Sequence, residues 1–385
     1  MHKYSKALIY LDHNATTPID TIATENMIRY MRDEFGNPSS AYPLGARAKK
    51  AVDRARQEVA SLLGCKINEV IFTSGGSESN NMALKGLVDF KNPEKRHIIT
   101  SAVEHPAILN PALYLMELGV EVTILPVDRY GRVDPDDVKK AVRPNTSLIS
   151  IMLANNETGT LLPVKEISKT AKEYGIPFHT DAAQAVGKIP VDVNELGVDL
   201  LSVAGHKLYG PKGVGALFIR DDLSVNSLIH GAGQEMGKRA GTESVILAVG
   251  LGSACEVARQ GLEHDITKIR ALRDRMQVIL FDGIKDLVLN GHPNERLPNT
   301  LSISVPGIEG KKILESLPDL AASTGAACHD RAVKLSHVLA AMSVPPMVGM
   351  GTLRLSMGKS NNVDQIEKAA KRIIARVEEM RGAGK

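Results

Sequence analysis

Two short apolar runs between residues 176 and 213 constrain the fold of this chain more than any other feature. The first run, residues 176–179, is followed by TDAAQ, and the second, residues 200–203, is followed by AGHK. Apolar runs of this length that end in glycine and polar residues are typical of buried parallel strands. Because ligands of open α/β sheets bind beyond the carboxyl ends of the strands, we expect four polar side chains to meet at one edge of this sheet. They are Asp181, Gln184, His206 and Lys207.

Strand and helix patterns alternate along most of the chain, which predicts an α/β fold with a mostly parallel sheet. Strand candidates occupy residues 70–73, 97–100, 120–127, 148–153, 176–180, 200–203 and 214–219, and helix candidates lie at about 46–63, 79–89, 106–118, 135–142 and 163–174. The last strand follows Lys207 after only a glycine-rich turn, which leaves no room for a crossover helix. We therefore predict seven strands, one of which is reversed.

The pattern changes after about residue 263. A long charged helix at residues 265–281 precedes strand candidates at 287–289, 301–305 and 353–357, and a last helix runs from about residue 362 to 380. Since helices and strands no longer alternate regularly, this part is expected to be a smaller α+β domain. We predict a large domain over residues 16–263 and a small domain built from residues 1–15 and 264–385.

Composition excludes several classes of partner. The 385 residues carry 47 basic and 44 acidic side chains, a net charge of +3, with no Trp and 4% aromatic residues. This balance argues against nucleic-acid binding and against a charged membrane surface. The chain starts without an apolar segment of signal-peptide length, and no run approaches 18 apolar residues. We expect a cytoplasmic protein with no membrane contact.

The three cysteines do not suggest a metal site. Cys65, Cys255 and Cys328 are widely spaced, odd in number and unlike any zinc pattern. Free thiols and no bound metal are therefore expected. Cys65 follows a helix-stopping glycine, and Cys255 lies in an apolar helical stretch, so both are interpreted as small packing residues.

A lysine and an aspartate at neighbouring strand ends suit pyridoxal phosphate. The lysine amine forms the Schiff base, and the carboxylate keeps the pyridinium nitrogen protonated. The alternative is that residues 205–213 form only a glycine-rich hairpin turn that carries a solvated Lys207. A phosphate loop is excluded, because Gly210 is followed by Pro-Lys-Gly and not by Lys and Ser/Thr.

Other strand ends favour the cofactor over the plain turn. The strand at residues 70–73 leads into SGGSESNN, where exposed N–H groups at a helix start, with the Ser77 hydroxyl, suit a phosphate. His105 follows a further strand and is placed to stack on a pyridine ring and move protons. The segment ANNETG, which contains Asn156, ends another strand at the same edge.

Eight motifs in order resemble those of the NifS/IscS-type cysteine desulfurases and the similar selenocysteine lyases. These motifs are TSGGSESNN, EHP, ANNETG, HTDAAQ, AGHKLYGPKG, RAGTES, TGAAC and TLRLS, and they run from residue 73 to about 356. The resemblance implies a fold-type I transferase that depends on pyridoxal phosphate, and a homodimer.

By position, the resemblance assigns a role to each matching residue. Lys207 is the Schiff-base lysine, and His105 stacks on the ring. The other cofactor-binding residues are Asp181 at the pyridine nitrogen, Gln184 at the ring hydroxyl, Asn156 beside the ring, Gly76, Ser77 and His206 at the phosphate, and Thr242 from the neighbouring subunit. Arg354 matches the arginine that binds the substrate carboxylate, Asn37 its helper, and Cys328 the catalytic cysteine.

The implied activity is conversion of L-cysteine to L-alanine with transfer of sulfur to Cys328 as a persulfide. That sulfur would supply iron–sulfur cluster or thio-cofactor assembly through an acceptor or scaffold protein. One alternative is a selenocysteine lyase that releases selenium and L-alanine from L-selenocysteine. Another is a sulfur-relay scaffold without turnover, which the presence of Lys207, Asp181 and Arg354 disfavours.

Two departures from the desulfurase pattern bear on this choice. Ala204 stands where desulfurases commonly have a serine that bonds the phosphate, and the spelling AACH around Cys328 resembles the selenocysteine lyases. In contrast, the long segment between Cys328 and Arg354 resembles the loop of desulfurases that hand sulfur to a protein partner.

Overall fold

The computed structural model of the protein describes residues 8–88, 96–324 and 335–382. The strands in these ranges, numbered along the chain, are β1 (Ile9–Tyr10), β2 (Val70–Thr73), β3 (His97–Ser101), β4 (Glu121–Leu125), β5 (Thr146–Ser150), β6 (Phe178–Asp181), β7 (Leu200–Ala204), β8 (Gly215–Ile219), β9 (Val288–Leu289), β10 (Thr300–Ser304), β11 (Leu320–Ala321) and β12 (Thr352–Ser356).

Helices separate most of these strands. They are α1 (Thr21–Arg32), α2 (Pro43–Leu63), α3 (Gly76–Gly86), α4 (Pro106–Glu117), α5 (Pro135–Ala141), α6 (Val164–Glu173), α7 (Val193–Leu196), α8 (Val245–Gly283), α9 (Gly310–Glu315), α10 (His337–Ala341), α11 (Pro346–Gly349) and α12 (Val363–Gly382). Helix α2 ends where the sequence predicts, because Gly64 adopts a left-handed conformation at φ 70° and its N–H bonds to the Ala60 carbonyl.

The large sheet has seven strands in the order β2-β8-β7-β6-β5-β3-β4. Strand β8 is antiparallel to both of its neighbours, β2 and β7, and the other pairs are parallel. The predicted α/β fold with one reversed strand is confirmed. The reversal follows from the short connection after β7, which contains no helix long enough to cross the sheet.

Glycine allows the start of β8 to lie directly against the turn after β2. A Cβ atom on Gly215 would clash with the backbone of Val203 on one side and of Gly75 on the other. This close approach brings the start of α3 to the carboxyl end of β7, where Lys207 follows.

Helix α8 is one continuous helix of 39 residues. The sequence predicts its second half, at 265–281, and an apolar helical stretch around Cys255, but not that the two form one continuous helix. By length and composition alone, one stretch of this helix could span a membrane, yet half of that stretch is buried within the protein. It packs against α1, α2 and α12, so it serves as a core helix that joins the two halves of the molecule.

Three separate clusters of buried apolar side chains lie around the sheets. Two of them pack on the seven-stranded sheet: the largest includes Phe178 and Phe218, and another includes Ile71 and Leu217. The third, which includes Leu11, Leu301 and Leu355, lies with the small antiparallel sheet β12-β10-β9 and the β1–β11 pair. The proposed domain boundaries, 16–263 against 1–15 and 264–385, stay a prediction.

Candidate active site

Lys207 and Asp181 lie beyond the ends of two adjacent parallel strands, β7 and β6. The Lys207 Nζ donates to the backbone carbonyls of Asn14 at 2.6 Å and Ala15 at 2.7 Å. Asp181 is buried, and each of its oxygens accepts one hydrogen bond, from the Ala183 N–H at 2.9 Å and the Asn80 Nδ2 at 2.7 Å. A carboxylate held in this way is fixed in orientation before any ligand binds.

The amine of Lys207 is easier to deprotonate than that of an ordinary lysine. Burial, with the charge of Arg354, lowers the pKa of Lys207 to about 8, although Asp12 and Asp181 oppose that shift. A substantial fraction of the amine is therefore neutral at mildly alkaline pH, and only the neutral amine can attack an aldehyde.

This lowered pKa predicts how fast the apo-protein takes up pyridoxal phosphate. The rate of Schiff-base formation, followed by absorbance after mixing, should rise with pH up to about 8 and then level off. A rate that still climbs about tenfold per pH unit above about pH 9 would mean that Lys207 keeps an ordinary lysine pKa.

His105 is held at the start of α4 in a defined tautomer. Its Nδ1 accepts a hydrogen bond from the Ala107 N–H at 3.1 Å, so the neutral ring carries its proton on Nε2. Burial lowers the pKa of His105, as do the charges of Lys207 and His337, while Asp181 raises it. The lowered pKa of His105 favours the neutral ring, which offers its Nε2–H rather than a lone pair.

The turn between β2 and α3 is built to receive an anion. Gly75 has φ 148° and ψ −179°, a conformation open only to glycine, and provides no side chain to cap the helix. A Cβ atom on Gly76 would lie 3.3 Å from the Ala204 Cβ and 3.9 Å from the Ala183 Cβ, so α3 starts against the ends of β6 and β7. Gly76 and the exposed Ser77 thus stand at an uncapped helix start, where a phosphate binds well.

His206, also assigned to the phosphate, lies in the turn after Ala204. Its Nδ1 is 3.2 Å from the Thr16 Oγ1, and burial lowers its pKa to about 4. The imidazole is therefore neutral at physiological pH and acts as a hydrogen-bonding group, not as a charge.

The alanine at position 204 predicts that a serine there would tighten cofactor binding. The Ala204 Cβ faces the start of α3, so Ala204→Ser adds a hydroxyl donor beside the phosphate turn. We expect the dissociation constant of pyridoxal phosphate to fall by about three- to tenfold. Titration of the apo-protein measures it, and Ala204→Gly, which adds no donor, is the control. Equal affinity in the serine variant would place the phosphate elsewhere.

Gln184 and Asn156 lie in the same polar network. Gln184 is buried, and its Nε2 donates to the Asn14 carbonyl at 2.9 Å. The backbone carbonyl of Asn156 accepts from the Asn14 Nδ2 and from the Arg354 Nη1, both at 3.1 Å. Both residues therefore border Lys207 through Asn14.

Arg354 is buried on β12 and tied to the N-terminal segment. Its Nη2 donates to the Asp12 Oδ1 at 2.8 Å, which orients the guanidinium toward residues 12–15, where the Lys207 amine is bound. Asn37 is exposed, and its hydrogen bonds in the described residues are local, to the N–H groups of Ser39 and Ser40. Among the described residues, no hydrogen bond therefore joins Asn37 to Arg354.

Thr242 is exposed and follows a segment that two ion pairs hold against α2 and α3. The first pair is buried and joins Arg56 to Glu235 at 2.6 Å. The second joins Arg239 to Glu78, in the first turn of α3, at 2.9 Å. Cys328 lies outside the described residues, so its role stays a prediction.

The residues that join these groups were missed by the sequence analysis. Asn14 is buried, and its carbonyl accepts from both Gln184 and Lys207, while its side chain also contacts Thr300 and Asn299. Asp12 and Lys188 likewise touch the assigned residues. The only available signal was the polar segment DHNATT directly after the apolar run at the N-terminus.

Comparison with known proteins agrees with this geometry. Residues 9–369 match the family described as aminotransferase class-V. The chain belongs to the class-V aminotransferase family. A cysteine desulfurase IscS from Dictyoglomus turgidum is 49% identical over 355 residues, which are 92% of this chain and 90% of that protein.

Solved structures support the same grouping for this class-V aminotransferase. A NifS-like protein superimposes with a TM-score of 0.90 at 36% identity, over 96% of this chain and 99% of that one. SspA in complex with cysteine gives a TM-score of 0.81 at 37% identity, over 91% and 98% of the two chains. The predicted fold-type I architecture is confirmed.

This class-V aminotransferase depends on pyridoxal phosphate, as its family does, and the residues present fit that cofactor. The site offers a lysine of lowered pKa and a buried aspartate whose two oxygens each accept a hydrogen bond. It also offers a helix start that has no side-chain cap and lies beside two alanines. These are the groups that an aldehyde, a pyridine nitrogen and a phosphate require.

Proposed function

We propose that the protein is a cysteine desulfurase, which converts L-cysteine to L-alanine and leaves the sulfur on Cys328 as a persulfide. One observation carries this proposal: Lys207 and Arg354 are held by the same short segment, residues 12–15, through the contacts with Asp12, Asn14 and Ala15. An amine for the cofactor and a guanidinium for a carboxylate side by side suit an α-amino acid substrate.

Bound pyridoxal phosphate supplies the electron sink that stabilises negative charge on the substrate Cα. Asp181 would hold its pyridine nitrogen, Gln184 its ring oxygen, His105 its ring face, and Gly76, Ser77 and His206 its phosphate. Lys207 provides the amine that binds the cofactor. When the same amine does not hold the cofactor, it would accept the proton of the substrate Cα, and its pKa of about 8 suits that role.

Arg354 binds the substrate carboxylate while Asp12 keeps the guanidinium plane in place. A bidentate contact orients the substrate, which lysine at this position could not do as well. The His105 Nε2–H can donate a hydrogen bond to the substrate sulfur, and we assign to His105 the handling of protons near the substrate thiol.

The sulfur-transfer step requires the thiolate of Cys328. It attacks the substrate sulfur, so that an S–S bond forms and the Cβ–S bond breaks. The substrate Cβ keeps the electron pair of the broken Cβ–S bond and takes up a proton, which gives alanine. Cys328 then carries the persulfide. Atoms balance: L-cysteine and an enzyme thiol become L-alanine and an enzyme persulfide.

Parallel turnover of L-cysteine and L-selenocysteine by the holoenzyme tests the proposal. We expect alanine from L-cysteine, and sulfide when a thiol reductant is present, with a visible absorption band that borohydride removes. Turnover of L-selenocysteine alone would make the protein a selenocysteine lyase. A protein without the band and without turnover would be the sulfur-relay scaffold.

We also propose a homodimer that hands sulfur to an acceptor or scaffold protein for iron–sulfur cluster or thio-cofactor assembly. Support for a second subunit comes from large apolar side chains left exposed in and after α1, namely Ile22, Met31 and Phe35. Thr242, exposed after its ion-paired segment, would then reach the partner's phosphate. Sedimentation of an active monomer would exclude this arrangement.

A further inference from the structure

Lys188 is a second lysine in the site network, and the proposed mechanism does not use it. Its Nζ donates to the Gln184 Oε1 at 2.6 Å and lies 3.4 Å from the Asn14 Oδ1. Among the described residues, no carboxylate forms a salt bridge with this amine. A half-buried lysine whose amine has two amide oxygens as partners is unusual and calls for a specific role.

The local chain conformation places Lys188 beneath Gln184. Residues 182–188 form a helical turn, in which the N–H groups of Ala185 and Val186 both bond to the Ala182 carbonyl. Gly187 then adopts φ 76°, and a Cβ there would lie only 3.0 Å from the Leu208 Cβ. This left-handed glycine turns the chain so that residues 184 and 188 meet.

The charged groups around Lys188 are mostly cationic. Burial lowers the pKa of its amine well below the usual range, and the charges of Lys207 and Arg354 lower it further. Two histidines, His13 and His206, also face it, and its charge contributes to lowering their pKa values. Across a small cavity of about 20 Å³ stands Asp265, which is paired with Lys359 at 3.0 Å.

The hydrogen bonds around Gln184 fix the orientation of its amide. The Asn14 carbonyl can only accept, so it requires the amide nitrogen, which lies 2.9 Å away. Lys188 donates to the amide oxygen on the other side. Rotating the amide by a half-turn would set oxygen against the carbonyl and NH₂ against the amine, which would lose both bonds. The Gln184 Nε2 carries two N–H groups, and the bond to the Asn14 carbonyl uses one of them.

We propose that Lys188 is a positioning residue for the cofactor: by holding the Gln184 oxygen, it keeps the Gln184 NH₂ turned toward Asn14 and toward the ring oxygen of pyridoxal phosphate. Through the Asn14 carbonyl, the same amide is tied to the amine of Lys207. This inference rests on the proposed function, because it concerns the cofactor that Gln184 is assigned to bind.

The test is a double-mutant cycle on the holoenzyme with Lys188→Met, Gln184→Leu and both together. Methionine keeps the length of the lysine and removes its donor. The pH midpoint of the visible Schiff-base band is measured for each variant, together with the dissociation constant of pyridoxal phosphate. Lys359→Met, which removes a lysine from the far side of the same cavity without touching Gln184 or Asn14, is the matched control.

We expect Lys188→Met to raise the midpoint by at least about half a pH unit and to weaken cofactor binding by about five- to tenfold. The ring oxygen carries more negative charge when the Schiff base is deprotonated, so a lost donor there makes the base hold its proton to higher pH. In the Gln184→Leu background, Lys188→Met should change neither quantity, because its effect passes through the amide.

Two results would overturn the proposal. An unchanged midpoint and affinity in Lys188→Met would mean that Gln184 needs no second partner. An equal shift with and without Gln184 would mean that Lys188 acts through its charge alone. If the methionine variant does not fold, Lys188→Gln is used instead and judged by the same criteria. Its side chain is one bond shorter than that of lysine, so it does not reach the Gln184 amide. A wild-type protein without the visible band would instead contradict the proposed function.

Discussion

Lys207→Ala is expected to abolish turnover, with a loss of at least about a thousandfold in kcat. The substitution removes both the Schiff-base amine and the base for the Cα proton, while Asp181 and the turn at Gly76 are left intact. Pyridoxal phosphate should therefore still bind, non-covalently, and the Schiff-base band should be absent. Steady-state alanine production and absorbance spectra of the same preparation measure these two effects.

Lys212→Ala is the matched control for this experiment. Lys212 lies in the same glycine-rich connection after β7, but it is exposed to solvent. This variant should keep its spectrum and its turnover. Normal activity in Lys207→Ala would end the assignment of Lys207, and the loop at 205–213 would return to the simple hairpin interpretation.

Cys328→Ser is expected to lower desulfuration of L-cysteine by at least about a hundredfold, or about 3 kcal/mol of activation free energy. Serine keeps the size of the side chain, but its hydroxyl is not ionised near neutral pH and is a poor acceptor of sulfur. Lys207 and Arg354 are untouched, so L-cysteine should still bind and change the spectrum. Selenocysteine should lose much less, since selenium can depart without capture by a thiolate.

The control for this comparison is Cys65→Ser. Burial, with the charges of Glu69 and Asp192, raises the pKa of Cys65 to about 12, so this thiol stays protonated and is not a nucleophile. Its removal should change neither reaction. Equal and severe loss for both substrates in Cys328→Ser would show that Cys328 also acts in selenium release. No loss for either would make it an ordinary cysteine and contradict the desulfurase proposal.

Local signals predicted those parts of the fold in which neighbours in sequence decide the structure. The run at 200–203 and the glycine-rich turn after it predicted β7 and the reversal of β8, because a short connection permits only an antiparallel pair. Helix α1 was missed. Only Ala23 and Met27 are buried on it, so its apolar stripe is too narrow to be seen, although Asp20 caps it through the Ile22 N–H.

For the site, the sequence by itself determined the side chains that carry recognisable chemistry and follow the strands: Lys207, Asp181, Gln184, His105 and the turn at Gly76. The positions of Arg354 and Cys328 came from the family resemblance. Tertiary structure alone decided how these groups are held. The Lys207 amine binds a carbonyl 193 residues away, and Arg354 pairs with Asp12 across 342 residues. Carbonyl acceptors leave no mark in a sequence, and contacts between distant segments form only when the sheets pack. The same reason hid Asn14 and Lys188, whose partners become neighbours only in the folded chain.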